Sequence, residues 1–254
     1  MNQLIGFKTL LNREVYRFVN LINQTVFPPI ISSLLYILIF GYSLGSRIKE
    51  IDGFPYVYYI LPGLAMMGTI TSAYSNTSTS LYVARLEKSI EDILISPLSY
   101  LETALAFVLG GMIRGVLVGS LILATFLVVG QVRLENPFYV VAFILLVSLI
   151  FSCCGIISAL KAERMDHIML FSNFFINPLV FLGGVFYSVK MLPGIWHYVS
   201  LFNPILYMVN GLRYGVLGVS DVNPLFSLGM AVVVAASLFS FTVYLFKTGY
   251  KLRL

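Results

Sequence analysis

The 254-residue chain is 59% hydrophobic and only 11% charged, with a net charge of +5, and its mean hydropathy is +0.91. An ordinary soluble domain carries about 25% charged residues, so this composition excludes most soluble enzymes and indicates an integral membrane protein. The basic residues sit in short clusters between apolar runs, a topology signal and not a nucleic-acid footprint.

Residues 1–25 open the chain with Leu4, Phe7, Leu11, Val15, Phe18 and Ile22 at spacings of three and four, while Asn12, Arg13, Arg17 and Asn20 face away. That pattern predicts an amphipathic helix on a membrane surface. Pro28 and Pro29 end it and fit the first turn of the next helix, where a missing N–H costs least. A bilayer core about 30 Å thick needs roughly 20 apolar residues per helical span. Six runs meet that length, near 26–45, 56–81, 101–129, 137–159, 168–187 and 225–246. Their continuity suits helices and not barrel strands, so the predicted fold is all-α with six transmembrane helices in one domain, 26–254.

Tyr56, Tyr58 and Tyr59 at the start of the second run read as an aromatic belt. The same run ends in T-S-A-Y-S-N-T-S-T-S, whose polar side chains either line a cavity or bond to their own helix; Asn76 and Ser80 are candidates for a path. Between the second and third runs, Val83, Leu86, Ile90, Ile93 and Leu94 form one stripe, opposite Arg85, Lys88, Glu91 and Asp92. Ser96-Pro97 ends this short helix, predicted over 83–96. In the third run Arg114 is the one ionisable residue deep in a span, at a cost of about 2.5–3.5 kcal/mol on insertion scales. It either braces the fold, through backbone carbonyls or Asn173 and Asn177, or faces a path. Gly111, Gly115 and Gly119 give the same helix a smooth face, for packing within the chain or for a dimer seam. Asn173 and Asn177 share a face of the fifth run beside Pro178, as a hinge or as polar lining. Residues 187–224, rich in Pro and Gly, predict broken helices dipping into the outer interface.

With both ends on one side, that side holds Lys8, Arg13, Arg17, Arg85, Lys88, Lys161, Arg164, Lys247, Lys251 and Arg253. The other holds Arg47, Lys49, Arg133, Lys190 and Arg213, so both termini are predicted cytoplasmic. No Asp or Glu lies deep inside the predicted spans, Glu102 standing at the very start of the third, which disfavours an ion-coupled secondary transporter, and the polar end of the second span disfavours a non-transporting scaffold. No catalytic or metal-binding constellation is visible, His167 and His197 being isolated, and adjacent Cys153 and Cys154 suggest core residues. Without any Gly-Lys dipeptide the chain has no phosphate-cradling loop of the G-x-x-x-x-G-K-[ST] kind, so ATP and Mg, if used, are bound by a partner.

Several stretches resemble the ABC-2 type permeases, the membrane subunits of ATP-binding-cassette exporters, and within them the bacterial YadH-like branch. They are P-P-I-I-S-S-L-L-Y and F-G-Y-S-L-G-S-R-I, L-P-G-L-A-M-M and S-A-Y-S-N, S-I-E-D-I-L-I-S-P-L, G-G-M-I-R-G, F-L-G-G-V-F-Y-S, and N-P-I-L-Y-M-V-N-G-L-R-Y-G-V-L-G. The resemblance covers nearly the whole chain. It implies an interface helix at 1–25, a coupling helix at 83–96 with the family's glutamate at Glu91, and short re-entrant helices at 187–218. It implies ATPase contact by Arg85, Glu87, Lys88, Glu91 and Asp92, and a path for an amphiphile (lipid, glycolipid or drug-like) near Asn76, Ser80, Arg114, Asn173 and Asn177. The expected partners are two ATPase copies and a second permease copy, as a homodimer in the bacterial inner membrane. The turn K-A-E-R-M-D-H departs from the family's less charged pattern while keeping Asp166.

Overall fold

The structure, a computed structural model, describes residues 2–41, 43, 45, 50–130 and 133–252. Arg47, Lys49 and Arg253 of the charge count, and part of F-G-Y-S-L-G-S-R-I, lie outside the described residues. The chain is an all-α membrane protein. Its elements are α1 (Asn2–Val19), α2 (Ile22–Thr25), α3 (Phe27–Tyr36) with a π turn at Ile37–Gly41, and a two-stranded antiparallel hairpin, β1 (Glu50–Ile51) and β2 (Phe54–Pro55). Then come α4 (Tyr56–Leu86), α5 (Ser89–Ile95), α6 (Tyr100–Gly130), α7 (Pro137–Lys161), α8 (Met165–Phe171), a π turn at Ser172–Ile176, and α9 (Asn177–Leu182). A 3₁₀ turn at Val189–Met191, α10 (Ile195–Leu201), α11 (Pro204–Leu217) and α12 (Pro224–Thr248) complete the order.

Among the described residues, five helices are long and apolar enough to cross a membrane: Ile22–Gly41, Tyr100–Leu127, Pro137–Lys161, Met165–Leu182 and Pro224–Thr248. The remaining run, 56–81, falls on α4, which is more polar, with 23 of its 31 residues buried. It packs chiefly against α6 and α7, and Thr69, Ser72, Thr77, Ser78 and Ser80 are covered by protein, with Thr71, Ser75 and Thr79 half-buried. The core therefore sits around α4, at Tyr59, Ile60, Leu64, Met66, Ile70 and Ala73. Pro62 interrupts the α4 ladder without ending the helix, and Gly63 lets Val185 come so close that a Cβ would stand 2.7 Å from its carbonyl oxygen. By contrast α3, α8 and α9 leave most of their surface open.

Three expectations change. The apolar stripe of α1 is buried only in part: Phe18 turns inward together with Leu10 and Glu14 from outside the stripe, whereas Leu4 and, beyond the helix, Ile22 are exposed. α1 packs on α6. Residues 83–96 are not one helix. α4 runs on to Leu86, Lys88 takes a left-handed backbone with φ 60°, and only Ser89–Ile95 forms α5. The fifth run falls on the candidate span Met165–Leu182, with a π turn just before Pro178, which has no N–H to continue the ladder. The 187–218 stretch does hold two helices, but α11 is 14 residues long and largely buried against α4, α7 and α12.

Candidate functional site

The α4 to α5 junction is built from the inside out. Arg85, expected on a charged surface, is buried, and its guanidinium donates to the carbonyls of Ala159 and Ala162, the latter at 3.2 Å. It thus fastens the end of α4 to the end of α7. Ile90 and Ile93 anchor α5 underneath, which leaves Glu87, Lys88, Glu91 and Asp92 exposed. Beyond Pro97, Ser99 and Glu102 form a capping box at the start of α6: Glu102 Oε2 accepts from Ser99 N–H and Oγ–H, both at 2.8 Å, and Ser99 Oγ accepts from Glu102 N–H at 3.2 Å. A surface with three acids and one lysine is therefore held between two fixed helix ends.

Above this junction lies a buried polar cluster that the sequence reading missed. Glu14 of α1 is fully enclosed, accepts a 2.5 Å hydrogen bond from Ser80 Oγ, and pairs with Arg13 at 3.2 Å and Arg17 at 3.8 Å. Arg17 also donates to the backbone and side-chain oxygens of Asn76, at 2.8 and 2.9 Å. Burial pulls the Arg17 pKa below the usual arginine range, an effect that Glu14 opposes. Gly110 makes the approach possible, since a Cβ there would sit 2.7 Å from Glu14 Cβ. The lack of acids deep in the apolar runs suggested an interior without carboxylates; Glu14 enters it from a helix outside those runs.

The five residues named for a path divide into two groups. Asn76 and Ser80 face α1 in this cluster, and Arg114 donates to the Thr25 carbonyl at 2.9 Å, bracing α6 against α2. Asn173 and Asn177 bond to each other at 3.2 Å on the open face of α8 and α9. Arg114 touches neither of them in the hydrogen bonds it makes. Gly111, Gly115 and Gly119 face α4 and α7 of the same chain, where a Cβ would meet Thr77 and Ser152, Ala73 and Ser148, or Thr69 within 2.8 Å. Much of the polar tail of α4 bonds back to its own carbonyls, as Thr71 does to Met67 and Thr79 to Ser75.

At the opposite end of α4 a second cluster surrounds Arg213, which is completely buried. Asp221 stands 3.9 Å away and accepts from Ser188 Oγ at 2.6 Å, Val189 N–H at 3.0 Å and Tyr59 Oη at 3.3 Å. Arg213 donates to the Gly184 carbonyl at 2.6 Å and lies over the Tyr59 ring at 4.0 Å. Asn210 Oδ1 accepts from Asp221 N–H at 2.9 Å. Tyr56 is also buried and donates to Phe186 O, so Tyr56 and Tyr59 are internal ties and not members of a belt. The signal for this cluster was the i, i+3 pair Asn210 and Arg213 in an otherwise apolar helix.

The sequence profile of the ABC-2 type transporters matches residues 5–217. The chain belongs to the ABC-2 transporter family. It is 36% identical over 249 residues to the inner membrane transport permease YadH of Escherichia coli K12, covering 98% of this chain and 97% of that one. It is 22% identical over 198 residues to nodulation protein J of Rhizobium meliloti, covering 78% and 74%, and 22% identical over 179 residues to that of Sinorhizobium fredii, covering 70% and 68%. As an ABC-2 permease it is a multi-pass inner membrane protein of transport type, and the family implies an ABC ATPase partner. The charged patch on α5 and the clusters at either end of α4 are thus features of a transport permease.

Proposed function

We propose that this chain is the permease half of an ATP-driven exporter for an amphiphile, with two copies working beside two ATPase subunits. The observation that carries the reading is the exposed Glu87 and Lys88 at the α4–α5 break, with Glu91 and Asp92 on α5, between helix ends clamped by Arg85 and by the Ser99–Glu102 box. A push on such a patch moves α4, α6 and α7 together instead of bending a loop. In this reading α4 is the sixth span, both termini are cytoplasmic, and ATP and Mg stay with the partner.

The open faces of α3 and of α8 with α9 support a seam with the second copy there, with Asn173 and Asn177 beside the path. Gly111, Gly115 and Gly119 are already used inside the protomer. An apolar groove of about 510 Å³ between α3, α4 and α6, bordered by Leu34, Ile37, Val57, Tyr58 and Phe126, suits an acyl or aromatic body and supports an amphiphilic cargo. Glu14 and Arg114 are both engaged within the fold, so their charges do not select among anionic, neutral and cationic amphiphiles. The test is reconstitution of the permease with its ATPase in vesicles carrying fluorescent phospholipid and drug-like probes. ATP-dependent movement of at least one probe, lost in Asn173→Leu/Asn177→Leu, is expected; no ATP-dependent movement of any amphiphile would overturn the reading.

A further inference from the structure

We propose that a groove where the end of α7 meets α8 and α12 binds one anionic phospholipid, separately from the transport path. Its volume is about 460 Å³, within the range of about 300–1,000 Å³ typical of ligand sites. Cys154, Ile157 and Leu238 form its apolar floor, Phe171 flanks it, and Lys161 and His167 stand among its lining residues at the helix ends. Cys154, Ile157 and Lys161 are spaced by three and four along α7, so they share one face that descends about 10 Å from the cation into the apolar run. That order, a charge at the rim and hydrocarbon below it, is the order of a phospholipid.

The rim has donors to spare. Lys161 is exposed and has no ion pair among the described residues. His167 Nδ1 accepts from Glu163 N–H at 3.5 Å, which leaves Nε2 for a phosphate oxygen. Glu163 and Asp166 belong to the same turn, but no carboxylate lines the groove among the described residues. A lysine and an imidazole at the membrane surface favour an anionic headgroup over a zwitterionic one. The orientation proposed above places the site in the cytoplasmic leaflet; the site itself depends only on the groove and its rim.

The test is native mass spectrometry of the delipidated protein mixed with phosphatidylglycerol or phosphatidylcholine of the same chain length. One phosphatidylglycerol per chain, preferred at least fivefold, is expected. Lys161→Gln/His167→Gln should erase the preference, whereas Lys247→Gln/Lys251→Gln, which changes cations outside the groove, should keep it. Ile157→Trp, or Leu238→Trp should the first fail to fold, should reduce retention of both lipids. Glycerol phosphate should not compete, because it leaves the apolar floor empty. Equal retention of the two lipids by the native chain, a preference that survives Lys161→Gln/His167→Gln, full competition by glycerol phosphate, or loss of the site when two copies associate would each overturn the proposal. None of these readouts involves ATP or cargo, so failure here is distinct from failure of the exporter reading.

Discussion

Arg213 and Glu14 are both charged, both fully enclosed, and both held by hydrogen bonds that leave little of the charge unanswered. Removing one partner of a buried ion pair costs about 3–5 kcal/mol because the other is left uncompensated. Arg213→Ala should therefore lower the detergent melting temperature sharply, and Arg213→Lys should recover only part of it, since lysine lacks the fork that reaches Gly184, Asn210 and Asp221. An unchanged melting curve for Arg213→Ala would contradict the internal-tie reading. At the Glu14 cluster, Ser80→Ala removes one hydrogen bond to a charged acceptor, worth about 1.5–3 kcal/mol. Differential scanning fluorimetry should register that loss, and a Phe18 or Leu10 truncation serves as a packing control. Gly119→Val tests the packing role of the glycine stripe: a Cβ would stand 2.0 Å from Thr69 Oγ1, so overpacking of about 1–3 kcal/mol is expected within a single protomer. The melt should fall even in a dilute monomeric sample; a loss confined to dimers would place the stripe at a seam.

Helices α4 and α5 show how sequence pattern and tertiary structure part company. The 3.6-residue periodicity across 83–96 is real, and Ile90 and Ile93 do bury together, but the chain breaks at Lys88 and reassigns 83–86 to the end of α4. No local rule marks a lysine for a left-handed backbone. Arg85 looked solvated for the same reason, because its partners are backbone carbonyls of α7 some 75 residues away, which periodicity cannot reveal. Apolar length, by contrast, was legible, and so was the proline start of α3, since both follow from local chemistry; the proline starts of α7, α11 and α12 obey the same rule. The Ser99–Glu102 box is a local device that can be tested alone. Ser99→Ala should cost about 1 kcal/mol in melting and, by loosening the start of α6, reduce ATPase stimulation more than it reduces partner binding. Equal losses in binding and stimulation would show that the box serves only the patch itself.

At the scale of the molecule, α4 is a central rod with a polar cluster near each end, one joining it to α1 and the other to α11 and the 184–189 turn. α6, α7 and α11 pack on it and α12 packs outside α7, α11 and α6, while α3, α8 and α9 stand at the margin with open faces. The class, the apolar runs and the family were readable from composition and motifs. The two clusters were not, since Glu14, Asp221 and Arg213 all lie outside the apolar runs, where a charge ordinarily meets water. A rigid rod capped by the α5 patch is suited to carry a displacement from a soluble partner into the membrane. The most direct test is a pull-down of the tagged chain from mild detergent, comparing the native sequence with Glu91→Arg, followed by ATPase assay. The account predicts that a soluble ATPase accompanies the native chain and is lost or uncoupled in Glu91→Arg, with the melting temperature unchanged because Glu91 is exposed. An ATPase that binds and turns over equally well with Glu91→Arg would contradict it.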